Sequence, residues 1–132
     1  MNKIEERIFK LYEKYKPYYE KVHIITRNKD TQRNLQKIFK NNGMPPMNRV
    51  YKASSEGTGL TLEDSMIGQD IKMIIFEDGF LLKEIEQLLT ISYIGHGEEV
   101  NAIVVKENIN LHWKLDKKGN HLIIEEIKEY NK

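Results

Sequence analysis

Two sets of basic side chains stand at helical spacing in the N-terminal third of the chain. Lys3, Arg7, Lys10 and Lys14 form the first, and Lys29, Arg33, Lys37 and Lys40 the second. Residues three and four apart share one face of a helix, so each set predicts a cationic stripe. Such stripes suit an anionic partner: they neutralise phosphates, and Tyr12, Tyr15, Tyr18 and Tyr19 stand close enough in sequence to stack on exposed bases. The plainer role is a solvated helix face. Glu5, Glu6 and Glu13 dilute the first stripe, and Glu6 is placed to pair with Lys10.

A second candidate is the polar loop Ser54, Ser55, Gly57, Thr58 and Gly59, in the run SSEGTG. Small residues let backbone N–H groups converge on an anion, and Thr61 with Asp64 can cap a short helix after it. The Lys-Ser/Thr pair of a nucleotide-binding P-loop is missing, as is the third glycine of a dinucleotide fingerprint. A surface contact loop is the reading that survives.

Acidic residues supply two further arrangements. Glu77 and Asp78 end an apolar strand, where α/β proteins place ligands. The run IIFEDG before a helix resembles the Glu-Gly element of metal-dependent nucleic-acid enzymes, but the Asp-x-Asp they need downstream is absent. Asp78 reads more simply as a helix N-cap. Asp116 with Glu126 and Lys128 has the Asp…Glu-x-Lys order by which nucleases hold a metal and activate water, yet turn chemistry accounts for Asp116. The histidines, His23, His96, His112 and His121, show no ligand spacing. His112 and His121 fall on paired strands with diverging rings, and His96 suits a charge at a helix C-terminus. No GxSxG or SxxK nucleophile context occurs. No cofactor and no metal is implied.

These groups must be held by a scaffold that the apolar pattern outlines. Ile4, Ile8, Leu11 and Tyr15 predict a helix over 3–15 that stops before Pro17. Val22, Ile24 and Ile25 predict a strand. Asp30 is expected to cap a helix over 30–42, which carries Leu35, Ile38 and Phe39 and closes at Asn42-Gly43. Val50 and Tyr51 begin another strand, and 53–70 is the least structured stretch. Residues 71–76 read as a strand buried on both faces. A third helix follows, burying Leu81, Leu82, Ile85, Leu88 and Leu89 and closing near Gly95. Ala102 to Val105 then complete a β-α-β unit. Leu111, Trp113 and Leu115 begin a hairpin that turns at DKKGN and returns through Leu122 to Ile127. The expected fold is α/β (α+β): one domain over 1–132, with a mixed β-sheet of about five strands and about three packed helices.

Composition narrows the function. The chain has 132 residues and a formal net charge of +1. That total conceals a surplus of 8 positive charges in residues 1–52 and of 7 negative charges in 53–132. Without cysteine, disulfides, zinc-thiolate sites and thiol nucleophiles are excluded. The longest apolar runs are far too short for a membrane span, and MNKIEERIFK lacks a signal-peptide core, so a cytoplasmic protein with no membrane partner is expected. Abundant Lys, Asn and Ile suit an AT-rich genome. The expectation is a non-catalytic binding or regulatory protein, of the inhibitor or immunity kind carried by bacteria or their phages. It would meet a partner protein or nucleic acid through its polarised surface. A homodimer joining unlike charged patches is a further expectation. The alternatives are a nucleic-acid-binding protein using the helices at 3–15 and 30–42, and an enzyme on a phosphorylated or nucleic-acid substrate.

Overall fold

A computed structural model describes residues 2–18, 22–43, 50–52 and 71–127. Its elements in chain order are α1 (Lys3–Tyr15), β1 (Val22–Thr26), α2 (Lys29–Asn41), β2 (Val50–Lys52), β3 (Met73–Glu77), α3 (Leu82–His96), β4 (Val100–Val105), β5 (Asn110–Lys118) and β6 (His121–Ile127). The strands form one mixed sheet in the order β2-β1-β3-β4-β5-β6. The first four in that order run parallel, and β5 and β6 turn antiparallel. The loop candidate at 54–59, together with Thr61, Asp64, Tyr19 and Lys128, lies outside the described residues.

The continuous apolar runs explain the layers. Every residue of β1 and β4 is buried, so both faces of the sheet centre need cover. On one face α1 and α2 bring Ile8, Phe9, Tyr12, Leu35 and Phe39 against Val22, Ile24, Met73, Ile75, Ile103 and Val105. Phe39 receives the edges of Phe9 and Tyr12 at centroid distances of 5.4 and 4.7 Å. On the other face α3 sets Ile85, Leu88 and Leu89 against Ile25, Ile74, Phe76, Ala102 and Val104, with Trp113 and Ile124 of the hairpin at the margin. This is the α/β architecture expected, with six strands where about five were counted.

Helix boundaries follow side-chain capping more closely than apolar spacing. Asn2 Oδ1 accepts from Glu5 N at 2.8 Å and Glu5 Oε1 accepts from Asn2 N at 3.2 Å, a reciprocal capping box. Glu5 therefore does not dilute a solvated stripe. It is buried, and its Oε2 accepts from Asn34 Nδ2 at 2.9 Å, tying α1 to α2. The cap of α2 is Asn28, whose Oδ1 accepts from Asp30 N at 2.7 Å, so Asp30 sits in the first turn instead of capping.

The third helix differs most from expectation. Leu81 and Leu82 are 59% and 44% exposed, because α3 begins only at Leu82 and its first turn stands clear of the sheet. Asp78 is three residues before the cap position and does not cap. The helix also passes Gly95 and ends at Gly97, whose φ of 73° permits the left-handed turn. There His96 Nε2 lies 2.7 Å from Ile71 O, and Nδ1 lies 3.1 Å from Glu98 N. Through these two bonds His96 fastens the end of the helix to the sheet. Beside it, the Lys72 ammonium bonds Glu98 and holds that carboxyl below its ordinary range. The small stabilisation this represents is present at neutral pH and fades as acid protonates Glu98.

The hairpin turn is tighter than DKKGN implied. Lys118 pairs with His121, leaving Gly119-Asn120 as a two-residue turn. Gly119 supplies the positive φ of 64°. Asp116 is consequently a strand residue opposite Ile123.

The buried and exposed leucines of α3 give a direct test. Leu89→Ala should lower unfolding free energy by about 2–5 kcal/mol in urea titration. Leu82→Ala should cost no more than about 0.5 kcal/mol.

Candidate functional site

Strand order places a topological switch point between β1 and β3, where connections leave in opposite directions along the sheet. Ligands of open α/β sheets bind at this place, beyond the strands' C-terminal ends and beside a helix N-terminus. In this chain the position is taken by the chain's own carboxylate. Glu77 Oε1 accepts from Arg27 N at 2.6 Å and from Asn28 N at 3.0 Å, and Oε2 accepts from Thr31 Oγ1 at 2.8 Å. The N–H groups that would face a phosphate are thus aimed at Glu77. Both oxygens of the carboxylate are occupied, and it serves as a strut between β3 and the start of α2.

The charges around Glu77 are likewise paired with one another. Arg27 lies 3.7 Å from Glu84 and stacks its guanidinium over Phe80 at 5.4 Å. Asp78 Oδ1 accepts from Lys106 Nζ at 3.1 Å and from Gly79 N at 2.9 Å. Gly79 is required there by its φ of 117°. Arg27, Glu84 and Lys106 were not singled out in the sequence. The signal available was position: Arg27 and Lys106 directly follow the C-terminal ends of β1 and β4, and Glu84 lies in the first turn of α3.

The nuclease-like set does not assemble. In the β5–β6 register Asp116 faces Ile123, while Glu126 faces Trp113, three pairs away and on the opposite side of the sheet. His112 and His121 are also apart, since His112 lies opposite Ile127 and His121 opposite Lys118. His112 Nε2 instead meets Asn101 Oδ1 at 2.9 Å, across the β4–β5 ladder. Among the described residues, no three His, Asp or Glu side chains gather to hold a metal ion.

The two basic stripes have different fates. On α1, Arg7 donates to the backbone carbonyls of Lys106 and Glu107, the latter at 2.9 Å, and to Asn110 Oδ1. It thus clamps the β4–β5 loop. Lys10 pairs with Glu6 at 3.2 Å, and Lys14 lies 5.2 Å over the Tyr15 ring. Lys3 is exposed at the helix start. Tyr12 is buried and cannot stack on a base, whereas Tyr18 is 79% exposed. An open groove of about 910 Å³ beside α1 is lined by Arg7, Lys14, Tyr15, His112 and Glu126, with charges of both signs.

On α2, Lys29, Arg33, Lys37 and Lys40 are all exposed. None of the four meets a carboxylate among the described residues. Asp30 is the only acid on that helix. Leu35 and Phe39 hold the opposite side against the sheet, so the cations stay outward. Comparison with protein families, with curated proteins and with solved structures found no match.

Two substitutions separate strut from surface. Glu77→Ala leaves two backbone N–H groups and a hydroxyl without their acceptor and should cost about 1–3 kcal/mol in chemical denaturation. Arg7→Met should loosen the β4–β5 loop, seen as faster amide hydrogen exchange at residues 106–110, with little change elsewhere.

Proposed function

We propose that this chain is a non-catalytic binding protein, of regulatory, inhibitor or immunity type, that engages an anionic partner through the outer face of α2. One observation carries the reading: four cations line a single exposed helix face and, among the described residues, none is in an ion pair with a carboxylate, while most of those on α1 are engaged within the protein. Unpaired cations along one face raise local potential and steer an oppositely charged surface into register. The satisfied network around Glu77 supports the same reading, because a site whose acids and bases are already paired with one another is poorly prepared for proton transfer. No helix among the described residues is long and apolar enough to cross a membrane, and a cytoplasmic location is part of the proposal. The partner is an acidic protein surface or a nucleic-acid backbone. The nucleic-acid reading is favoured by the spacing of the stripe, where successive cations stand about 4.5–6 Å apart along the axis, within reach of successive phosphates.

Total charge must be held fixed in the test. One variant changes Lys29, Arg33, Lys37 and Lys40 to Gln; its control changes Lys83, Lys114, Lys117 and Lys118 to Gln, lowering net charge equally. The α2 variant should lose retention on immobilised DNA or polyglutamate, with the salt slope on DNA falling by about 0.9 for each phosphate contact removed. The control should be retained like the parent. Equal behaviour of the two variants, or no salt-dependent retention of the parent on either matrix, rejects the reading.

A further inference from the structure

Among the described residues, β6 leaves one edge of the sheet without a partner strand. It runs for seven residues, matches β5 residue for residue with no bulge, and contains neither proline nor lysine. Bulges, proline and charges, lysine above all, are devices that stop a sheet edge from pairing with another chain, and of these the strand carries only Glu125 and Glu126. Leu122 and Ile123 are each 38% exposed, and they lie on opposite faces of the sheet. The edge is therefore apolar on both sides near the turn, with Glu125 and Glu126 further along, whereas the facing segment of β5 carries Lys117 and Lys118.

Hydrogen-bond phase selects how a second strand would join. A two-residue turn closes on a pair that exchanges both backbone bonds, here Lys118 and His121. By alternation, His121, Ile123, Glu125 and Ile127 direct their backbone groups at β5. Leu122, Ile124 and Glu126 direct theirs at the open edge. Among the antiparallel, two-fold registers that use these groups are two centred near the middle of the strand, on Ile124 and on Ile123. Centred on Ile124, the pairing sets Leu122 opposite Glu126 and Ile123 opposite Glu125. Centred on Ile123, it sets Ile123 opposite its own copy, Leu122 opposite Ile124, and His121 opposite Glu125. The second register matches apolar with apolar and imidazole with carboxylate, and each pair lies on one face.

We infer that the protein forms a symmetric homodimer by antiparallel β6–β6 pairing centred on Ile123, joining two six-stranded sheets into one. The contact is isologous, so it closes at two copies and consumes both long edges. A single strand pair is a small interface, and the dimer is accordingly concentration-dependent.

The absence of cysteine makes the test clean. Ile123→Cys introduces a lone thiol at a non-hydrogen-bonded pair, where Cα atoms stand about 4.5 Å apart, within disulfide reach. Under mild oxidation it should form covalent dimer at least about tenfold faster than Lys117→Cys. Sedimentation of the parent from about 10 to about 500 µM should show a monomer–dimer equilibrium. Ile123→Lys, which sets two ammonium groups face to face, should abolish that equilibrium while keeping the parent's circular dichroism and melting temperature. A parent that stays monomeric throughout overturns the inference, as do equal crosslinking rates. So does a dimer that survives Ile123→Lys but dissolves at high salt or on neutralising α2, since that would join unlike charged patches.

Discussion

A strand with no solvated residue must be covered twice, and most of this molecule follows from that constraint. β1 and β4 are buried throughout, and β3 is buried except at Glu77, so the sheet centre tolerates no open face. Burying one such apolar side chain is worth about 1.5–3 kcal/mol, and the benefit exists only when both layers are present. The two layers are built from different parts of the chain: α1 and α2 cover one face and α3 the other. Covering the first face with two amphipathic helices obliges those helices to present polar outer surfaces.

That obligation does not dictate which polar residues appear, and here the two neighbouring helices diverge. α1 spends its charges internally, through the Glu5 capping box, the Arg7 clamp and the Glu6–Lys10 pair. α2 leaves its cations facing water. Exposed ion pairs contribute little to stability, with a median near 0–1 kcal/mol, so their omission from α2 costs the fold almost nothing. The surface composition of α2 is thus not dictated by the stability of the fold.

The sequence disclosed elements better than environments. Both N-terminal helices and every strand register as apolar periodicity, since burial of a face writes itself into spacing. Cap residues were misplaced where several candidates stood together: Asn28 and Asp30 are both good caps, and only backbone geometry distinguishes them. Leu81 and Leu82 read as core because apolar type is legible while the exact start of a helix is not. The same limit applied to charge. Nothing in the local sequence of Arg7 reveals that its partners lie some hundred residues on, at Lys106 to Asn110. Glu77 was noticed for its place at a strand end, but its use as a strut depends on the β1–β3 pairing, which brings residues 27 and 77 together.

The Arg7 clamp also bears on how the chain folds. α1 and the groups its guanidinium grips are separated by some hundred residues. β1 likewise waits for β3 before its inner edge can be paired. Long-range closure of this kind delays the rewarding contacts until the loop entropy has been met. Until β3 and β4 are in place, the apolar stripes of α1 and α2 lack most of the sheet face they cover, so local helix formation alone does not complete this layer.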